Sequence, residues 1–284
     1  MTKVEKITKL LEIYGKDDQR TDAWHIKRGQ MLTASEIYKG LSDATPAQRH
    51  ELIMGKLVPK DYNASNGVRS LVWGTRFEPI AKEIYIDLNY GDIQLIDTTC
   101  IPHPKVSFLG ASPDGVILTE NTNDYRYGKL VEFKCPISRQ FTNETPVPKE
   151  YYHQMQLQME CTGIDECEYI EMQFKEITYT EWKDSPTRYK SFFAILDDET
   201  YIPKSINDSR SIPQWQQEVL GHLDCEYRLY YWVLVNWRTK TVPKQVDWLE
   251  QHLPSLQIVW EEIQEYRKTG TFPQSPKEKA TLVL

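Results

Sequence analysis

The stretch that decides the fold runs from Ser112 to Lys134 and reads SPDGVILTENTNDYRYGKLVEFK. Two short apolar runs flank a loop rich in Asn and Asp, and this pattern predicts a β-hairpin or a short excursion of a sheet. Because successive side chains of a strand point to opposite faces, Glu132 and Lys134 share one face. Burying such a pair is costly unless the two side chains meet a cation, an anion or water. With Asp114 arriving from the neighbouring strand, the stretch predicts a carboxylate pair suited to Mg²⁺ or Mn²⁺.

An alternative interpretation of the same stretch needs no metal. Glu132 and Lys134 would then be a solvated pair on an edge strand, and Asp114 would belong to an ordinary turn. The spacing alone leaves both interpretations open, so residues elsewhere in the chain have to decide between them.

Composition describes an ordinary globular protein with an acidic balance. The 284 residues are 40% hydrophobic and 26% charged, with a formal net charge of −7. This length is enough to bury a full core. The negative charge argues against non-specific coating of nucleic acid, although it permits a local basic groove on an acidic body.

Cysteine usage and the N-terminus bear on location. The five cysteines include no CxxC pair, and no histidine cluster has zinc spacing, so neither a disulfide framework nor structural zinc is predicted. Reduced thiols fit a cytoplasmic or nuclear location better than secretion. The N-terminus lacks an apolar signal core, and no apolar run reaches membrane-spanning length, so no membrane association is expected.

The region near residue 30 contains a candidate anion site. Trp24 and Arg28 are four residues apart on a predicted short helix and therefore lie on one face. Thr33 stands three residues before Glu36, a capping-box pattern that predicts the start of another helix. Free N–H groups there, with Ser35 and Arg28 nearby, would bind an anion. The alternative is an ordinary helix cap beside a surface arginine.

Two further helices carry candidate polar residues. The first is predicted from about residue 69 to residue 88, where Glu78 lies one turn after Gly74 and Pro79 predicts a kink or a helix start near Phe77. The second is predicted over residues 151–160, where Gln154 and Gln158 are one turn apart and share a face. A surface carboxylate and a glutamine-rich soluble helix are the simpler interpretations.

The remaining pattern defines the fold class. Apolar periodicity predicts further helices over 3–14, 45–56, 214–237 and 246–266, strands over 93–96, 105–111, 169–174 and 191–196, polar loops over 61–67 and 197–213, and a loose tail over 272–284. We predict an α/β (α+β) fold with a mixed central sheet flanked by helices. Residues 1–200 would form the core with its N-terminal helices, and residues 201–284 would add C-terminal helices packed on the same domain.

The ordered set of motifs resembles the YqaJ-type viral recombinase nucleases, the family of phage lambda exonuclease, within the PD-(D/E)xK nuclease superfamily. The resemblance covers roughly residues 20–165, and its motifs, in chain order, are Trp24/Arg28, Ser35, Gly74-Thr75-x-Phe77-Glu78, Ser112-Pro113-Asp114-Gly115, Glu132-Phe133-Lys134-Cys135-Pro136 and Tyr151-x-x-Gln154-x-Gln156. Single motifs are weak, but the whole set in one order is specific.

The resemblance implies a restriction-endonuclease-like core and a Mg²⁺-dependent exodeoxyribonuclease, with Mn²⁺ as a substitute. Such enzymes digest one strand of duplex DNA from a 5′ end and leave 3′ single-stranded overhangs for recombination and repair. Many work as a ring-shaped trimer with a single-strand annealing protein.

The resemblance also implies residue roles. Asp114, Glu132 and the Phe133 carbonyl would ligate the metal, with Glu78 joining them from its helix. Lys134 would orient or activate the attacking water. Gln154 would support the metal site. Arg28 and Ser35, beside Trp24, would hold the 5′-terminal phosphate, and Arg139 would bind a further phosphate.

Two other functions remain compatible with these residues. One is an endonuclease of the same fold that cuts structured DNA, and it would not require a 5′-phosphate pocket. The other is a non-catalytic DNA-binding protein of this fold, which would have no need to retain Asp114, Glu132 and Lys134. The acidic balance and the length of the loop over 120–128 leave the oligomeric state and processivity open.

Overall fold

The computed structural model describes residues 2–58, 69–197 and 200–276. Its α-helices are α1 Lys3–Tyr14, α2 Asp22–Gly29, α3 Pro46–Leu57, α4 Arg69–Leu88, α5 Lys149–Thr162, α6 Tyr179–Asp184, α7 Ile212–Trp215 and α8 Trp248–Thr269. Its strands are β1 Leu32–Thr33, β2 Ile93–Ile96, β3 Ile101–Pro102, β4 Leu109–Ala111, β5 Gly115–Thr119, β6 Leu130–Lys134, β7 Glu166–Ile177, β8 Lys190–Leu196, β9 Tyr201–Pro203 and β10 Tyr227–Pro243. None of the helices described is both long and apolar enough to span a bilayer.

A seven-stranded mixed sheet forms the centre of the molecule, with strand order β2-β5-β6-β7-β10-β8-β9. Strands β6 and β7 are parallel, and the other neighbours in this sheet are antiparallel. A second, three-stranded sheet has the order β1-β4-β3. The predicted α/β class with a mixed sheet is therefore confirmed.

Helices cover both faces of the large sheet. Helix α4 packs Phe77, Ile80 and Ile84 against one face, where Phe133 and Ile170 are buried. Helices α1, α3, α5 and α8 contribute to the core on the other face. Because β6 contributes apolar side chains to one face and Glu132 to the other, the alternation predicted from the sequence positions a carboxylate under α5.

The predicted hairpin is confirmed, with Gly115 paired to Val131 and Val116 to Leu130. The long helix over 69–88, the helix at 151–160 and the helices at 3–14, 45–56 and 246–266 are also present with small shifts at their ends. The predicted strand over 105–111 is shorter, because only Leu109–Ala111 is a strand. The predicted loop over 61–67 and the tail beyond residue 276 lie outside the residues that the structure describes.

The predicted helix over 214–237 is wrong. Helix α7 ends at Trp215, a π-helical turn follows at Gln216–Leu220, and β10 begins at Tyr227. Residues 229–235 are a continuous apolar and aromatic run that is typical of a strand with neighbours on both sides. Strand β10 lies between β7 and β8 in the middle of the sheet. The C-terminal region therefore adds a central strand as well as helices, while the division at residue 200 stays a prediction.

The predicted helix start at Thr33 is also wrong. Residues 32–33 form strand β1, which pairs with β4, and the helical segment that follows is a short 3₁₀ turn at Ile37–Gly40. Half of the capping-box interaction is present, since the Thr33 N–H donates to Glu36 Oε1 at 2.8 Å. The contact closes a tight turn after a strand instead of beginning an α-helix.

Pro79 lies inside α4 without breaking it. A proline lacks an N–H, so the carbonyl of Thr75, four residues earlier, loses its usual helical donor. The hydroxyl of Tyr201 on β9 donates to this carbonyl at 3.2 Å. This bond replaces the lost one and lets α4 continue through the turn that contains Glu78.

Candidate active site

The hairpin brings the two predicted carboxylates together. Asp114 immediately precedes β5, and its Oδ2 accepts a hydrogen bond from the Phe133 N–H on β6 at 2.7 Å. Glu132, one residue earlier on β6, is 1% exposed. The antiparallel pairing of Gly115 with Val131 fixes this arrangement, because it places the end of the Pro-Asp turn beside the middle of β6.

Helix α5 supplies neutral donors to Glu132. Gln154 Nε2 donates to Glu132 Oε1 and Gln158 Nε2 donates to Glu132 Oε2, each at 2.6 Å. These two glutamines are four residues apart and therefore lie on one face of the helix. Lys134 Nζ forms an ion pair with Glu132 Oε1 at 2.5 Å and lies 4.6 Å from the centre of the Tyr151 ring.

The electrostatics of this cluster leave negative charge poorly compensated. Burial raises the pKa of Asp114 well above its ordinary value, and the nearby carboxylates of Glu132 and Glu78 raise it further. Burial alone would lower the pKa of Lys134, but the charges of Glu132 and Asp114 outweigh burial and raise it. Lys134 is therefore a firmly held ammonium beside a carboxylate pair.

The donor atoms of this cluster fit a hard divalent cation. Two carboxylates and the neighbouring Phe133 carbonyl are oxygen ligands of the kind that Mg²⁺ and Mn²⁺ prefer. The buried Gln158 Oε1 has no hydrogen-bond donor, so it could accept from a metal-bound water. The described residues hold no group of three or more acidic, histidine or cysteine side chains arranged as a ready metal cluster. The candidate set is thus two carboxylates completed by carbonyl oxygen and water.

Glu78 reaches the same region from α4 but has cationic partners of its own. Arg20 binds Glu78 Oε2 at 2.7 Å, and Lys82 lies 3.4 Å from Oε1. Lys82 also pairs with Asp97 at 2.6 Å. The charge of Glu78 acts on Asp114, but Glu78 does not form a three-carboxylate cluster with Asp114 and Glu132. Its role as a ligand stays a prediction.

A second polar cluster surrounds Arg28 on α2. The guanidinium donates to the hydroxyls of Ser35 at 2.9 Å, Thr33 at 3.2 Å and Ser112 at 3.3 Å. Trp24 stacks with it at 4.3 Å, and the indole N–H also donates to Ser112 at 3.1 Å. Because Ser112 is two residues before Asp114, this cluster adjoins the carboxylate pair.

No described carboxylate forms an ion pair with Arg28. Glu36, which is near enough to feel its charge, is paired with Lys56 at 2.5 Å instead. A cavity of about 540 Å³ opens beside Arg28 and Ser35. A guanidinium held by hydroxyls next to an open cavity retains the capacity to bind an anion.

Arg139 lies in a different setting from Arg28. It forms an ion pair with the fully buried Glu171 on β7, donates to the Tyr169 hydroxyl at 3.1 Å and lies 5.2 Å from the centre of the Tyr151 ring. Arg238 on β10 binds the other oxygen of Glu171 at 2.7 Å. Arg139 thus lies on the same tyrosine as Lys134, but it already has a carboxylate partner, which it shares with Arg238.

Sequence reasoning missed several residues of the site. Lys82 is one helical turn after Glu78, and this spacing was a signal that could have found it. Glu171 and Arg238 are brought beside Lys134 by strand register, since Glu171 pairs with Lys134 on one side and with Arg238 on the other. Arg20 gave no such signal, because its partner Glu78 is 58 residues away.

The fold of this chain is similar to that of a solved exonuclease structure. The alkaline exonuclease LHK-Exo from Laribacter hongkongensis matches with a TM-score of 0.50 and 19% identity, over 93% of this chain and 100% of that chain. LHK-Exo in complex with dAMP matches with a TM-score of 0.48 and 20% identity, over 93% and 100% of the two chains. At such identities the likeness concerns the fold.

The chain belongs to the YqaJ-like viral recombinase domain family, whose model matches residues 23–165. The family predicted from the order of the motifs is therefore confirmed. A curated relative, the uncharacterized protein R354 of Acanthamoeba polyphaga mimivirus, is 23% identical over 302 residues, which cover 88% of this chain and 53% of the relative. The chain thus spans about half the length of that relative.

Proposed function

We propose that this protein is a Mg²⁺-dependent exodeoxyribonuclease that digests duplex DNA from a 5′ end and leaves 3′ single-stranded overhangs for recombination. One observation carries the proposal: Asp114, Glu132 and Lys134 lie together at a hairpin. Two residues before Asp114, Ser112 accepts a hydrogen bond from Arg28, which has no carboxylate partner among the described residues. The membership in the YqaJ-like family supports the same assignment.

Each residue of the hairpin has a distinct task in phosphodiester hydrolysis. Asp114, Glu132 and the Phe133 carbonyl would hold the cation, which lowers the pKa of a bound water and offsets charge on the phosphate oxygens. Gln154 and Gln158 orient Glu132 through its two oxygens. Lys134, which pairs with Glu132, would orient or activate the attacking water.

The Arg28 cluster favours an exonuclease over an endonuclease. A terminal phosphate carries more negative charge than an internal phosphodiester, and a guanidinium without a carboxylate partner gains most from such a group. Ser35, Thr33 and Ser112 hold the guanidinium in place. An enzyme that cuts within a strand has no use for a terminal-phosphate site next to its carboxylates.

A single digestion assay tests the assignment. Linear duplex labelled at either 5′ or 3′ ends, closed circular duplex and single-stranded DNA are incubated with Mg²⁺ and separately with a chelator. We expect Mg²⁺-dependent loss of the 5′ label from linear duplex, survival of the 3′-labelled strand and no cutting of the circle. Nicking of circular DNA would support an endonuclease, and binding without cleavage would support a non-catalytic protein.

The assembly of the protein is a separate question from its chemistry. A ring-shaped trimer and a single-strand annealing partner stay predictions from the family resemblance. Sedimentation of the purified protein with and without duplex DNA would measure the oligomeric state directly.

A further inference from the structure

Arg20, in the link between α1 and α2, contacts Glu78 on α4. Its Nη2 lies 2.7 Å from Glu78 Oε2, and the Arg20 side chain is 47% exposed. The sequence motifs assign no role to Arg20, although it is the cation that lies nearest to Glu78. An arginine on the solvent side of a carboxylate that adjoins Asp114 can also face a substrate approaching from solvent.

The backbone around Arg20 is held in an unusual conformation. Arg20 has a φ of 72°, in the left-handed region, which costs a residue with a side chain roughly 1 kcal/mol or more. Its neighbours hold this conformation in place, because the Gln19 amide donates to the carbonyls of Thr98 at 2.8 Å and Pro113 at 3.0 Å. The link is thus fixed directly to the Pro-Asp turn of the site.

The two cations on Glu78 differ in what they would do without it. Lys82 keeps Asp97, at 2.6 Å, as a closer partner. Arg20 has no second carboxylate partner among the described residues. If the Glu78 carboxylate turns to a cation instead, Lys82 remains paired with Asp97. The exposed guanidinium of Arg20 would then lose its carboxylate partner.

We propose that Arg20 is a further DNA-contacting residue, which Glu78 holds in the metal-free protein and releases to a backbone phosphate when Glu78 turns to a cation. This proposal rests on the proposed function. A phosphodiester offers a guanidinium two oxygens in the same fork geometry as a carboxylate, so the partner changes without loss of hydrogen bonds. The site would then gain its phosphate contact together with its metal.

Competition between Arg20 and a cation for Glu78 predicts the direction in which metal affinity changes when Arg20 is replaced. A cation and Arg20 cannot both use the same carboxylate oxygen, so removal of the guanidinium strengthens metal binding. The same removal weakens DNA binding, because a phosphate contact is lost. A residue that only supported the shape of the site would weaken both.

The first experiment measures Mn²⁺ binding by calorimetry without DNA, so that it does not depend on activity. Arg20→Gln and Arg20→Lys are compared with Arg188→Gln, a matched control that removes a 71% exposed guanidinium from Asp87 on the same helix. We expect Arg20→Gln to bind Mn²⁺ about 3- to 10-fold more tightly, with Arg20→Lys between it and the unaltered protein and Arg188→Gln unchanged. Equal or weaker Mn²⁺ binding by Arg20→Gln would overturn the proposal.

The second experiment measures binding of a 5′-phosphorylated duplex with Mn²⁺ in a Lys134→Ala background, which prevents turnover. Adding Arg20→Gln should weaken binding about 10-fold and reduce the slope of log affinity against log salt by about 1. Unchanged DNA affinity would overturn the role of Arg20. If the unaltered protein neither binds nor digests duplex, the proposed function fails, whereas the Mn²⁺ measurement still reports the competition at Glu78.

Discussion

Two buried carboxylates on one face of the sheet, Glu171 and Glu132, differ in the charge of their surroundings. Glu171 is fully buried between Arg238 and Arg139, so two guanidinium groups surround one carboxylate. Glu132 is buried to nearly the same extent, but it has two neutral amides and a lysine, and Asp114 lies beside it. The difference teaches that a buried carboxylate with cations on both of its oxygens holds this structure together, while a pair of carboxylates with one cation is prepared to receive another.

The most direct test of this comparison replaces each of the two carboxylates, Glu132 and Glu171, with glutamine. Glu132→Gln should reduce Mg²⁺-dependent digestion of linear duplex at least about 1,000-fold, because it removes a charged ligand. Its free energy of unfolding should stay the same or rise, since a repulsion with Asp114 is relieved. Activity assays and urea unfolding measure the two effects. Lys134→Ala should also abolish digestion, and undiminished activity in both variants would contradict the assignment.

Glu171→Gln should lower stability more than it lowers activity, the opposite of Glu132→Gln. The substitution leaves Arg238, which is 2% exposed, buried without a counter-charge, and such a loss costs roughly 3–5 kcal/mol. Urea unfolding should therefore show a large drop in stability, and any loss of activity in residual folded protein should be the smaller effect. Stability within about 1 kcal/mol of the unaltered protein would show that Arg238 does not depend on Glu171.

The pH dependence of stability probes another buried residue of α5. His153 accepts a hydrogen bond from the Trp248 indole at 2.9 Å. Burial, followed by the charges of His252 and Lys149, lowers the pKa of His153 to about 4. The unfolded chain binds this proton more readily, so stability should fall as pH drops from about 6.5 to 4, by up to ~1.4 kcal/mol per pH unit.

Denaturant midpoints measured across this pH range test the assignment to His153. His153→Gln keeps an acceptor for Trp248 but does not titrate, so its stability should change less with pH. His252 has a lowered pKa as well, and the double substitution should flatten the profile further. An identical slope in all three proteins would rule out this histidine pair as the cause.

Arg28 extends the comparison to a cation that forms an ion pair with no described carboxylate. Arg28→Ala should reduce the preference for a 5′-phosphorylated over a 5′-hydroxyl end about 10-fold, which corresponds to about 1.4 kcal/mol. Arg139→Ala, at a guanidinium already paired with Glu171, should change that preference less. Competition digests of the two kinds of end measure the ratio, and equal losses on both ends would refute the role of Arg28.

The hairpin and much of the site could be predicted from short-range sequence patterns. The Pro-Asp turn, the alternation of Glu132 with Phe133 and the four-residue spacing of the α5 glutamines are short-range patterns, and the structure reproduces them. These patterns give the correct face for Glu132 because a strand has only two faces. The roles assigned to these residues stay predictions.

The pairing of strands that are distant in sequence could not be predicted from short-range patterns. The row of Lys134, Glu171 and Arg238 comes from three strands that are distant in sequence, and no local spacing indicates their register. Strand β10 was taken for a helix because its apolar run has no alternation. A strand covered on both faces loses the period of two that identifies it.

The late position of β10 has a consequence for biosynthesis. This strand lies between β7 and β8, so these two strands cannot be joined into one sheet before residue 243 has left the ribosome. The hairpin with Asp114 and Glu132 emerges long before that, with its charges on an incomplete sheet. We expect the growing chain to remain unfolded or chaperone-bound through most of its synthesis, and the hydrolytic centre to mature only near the end of translation.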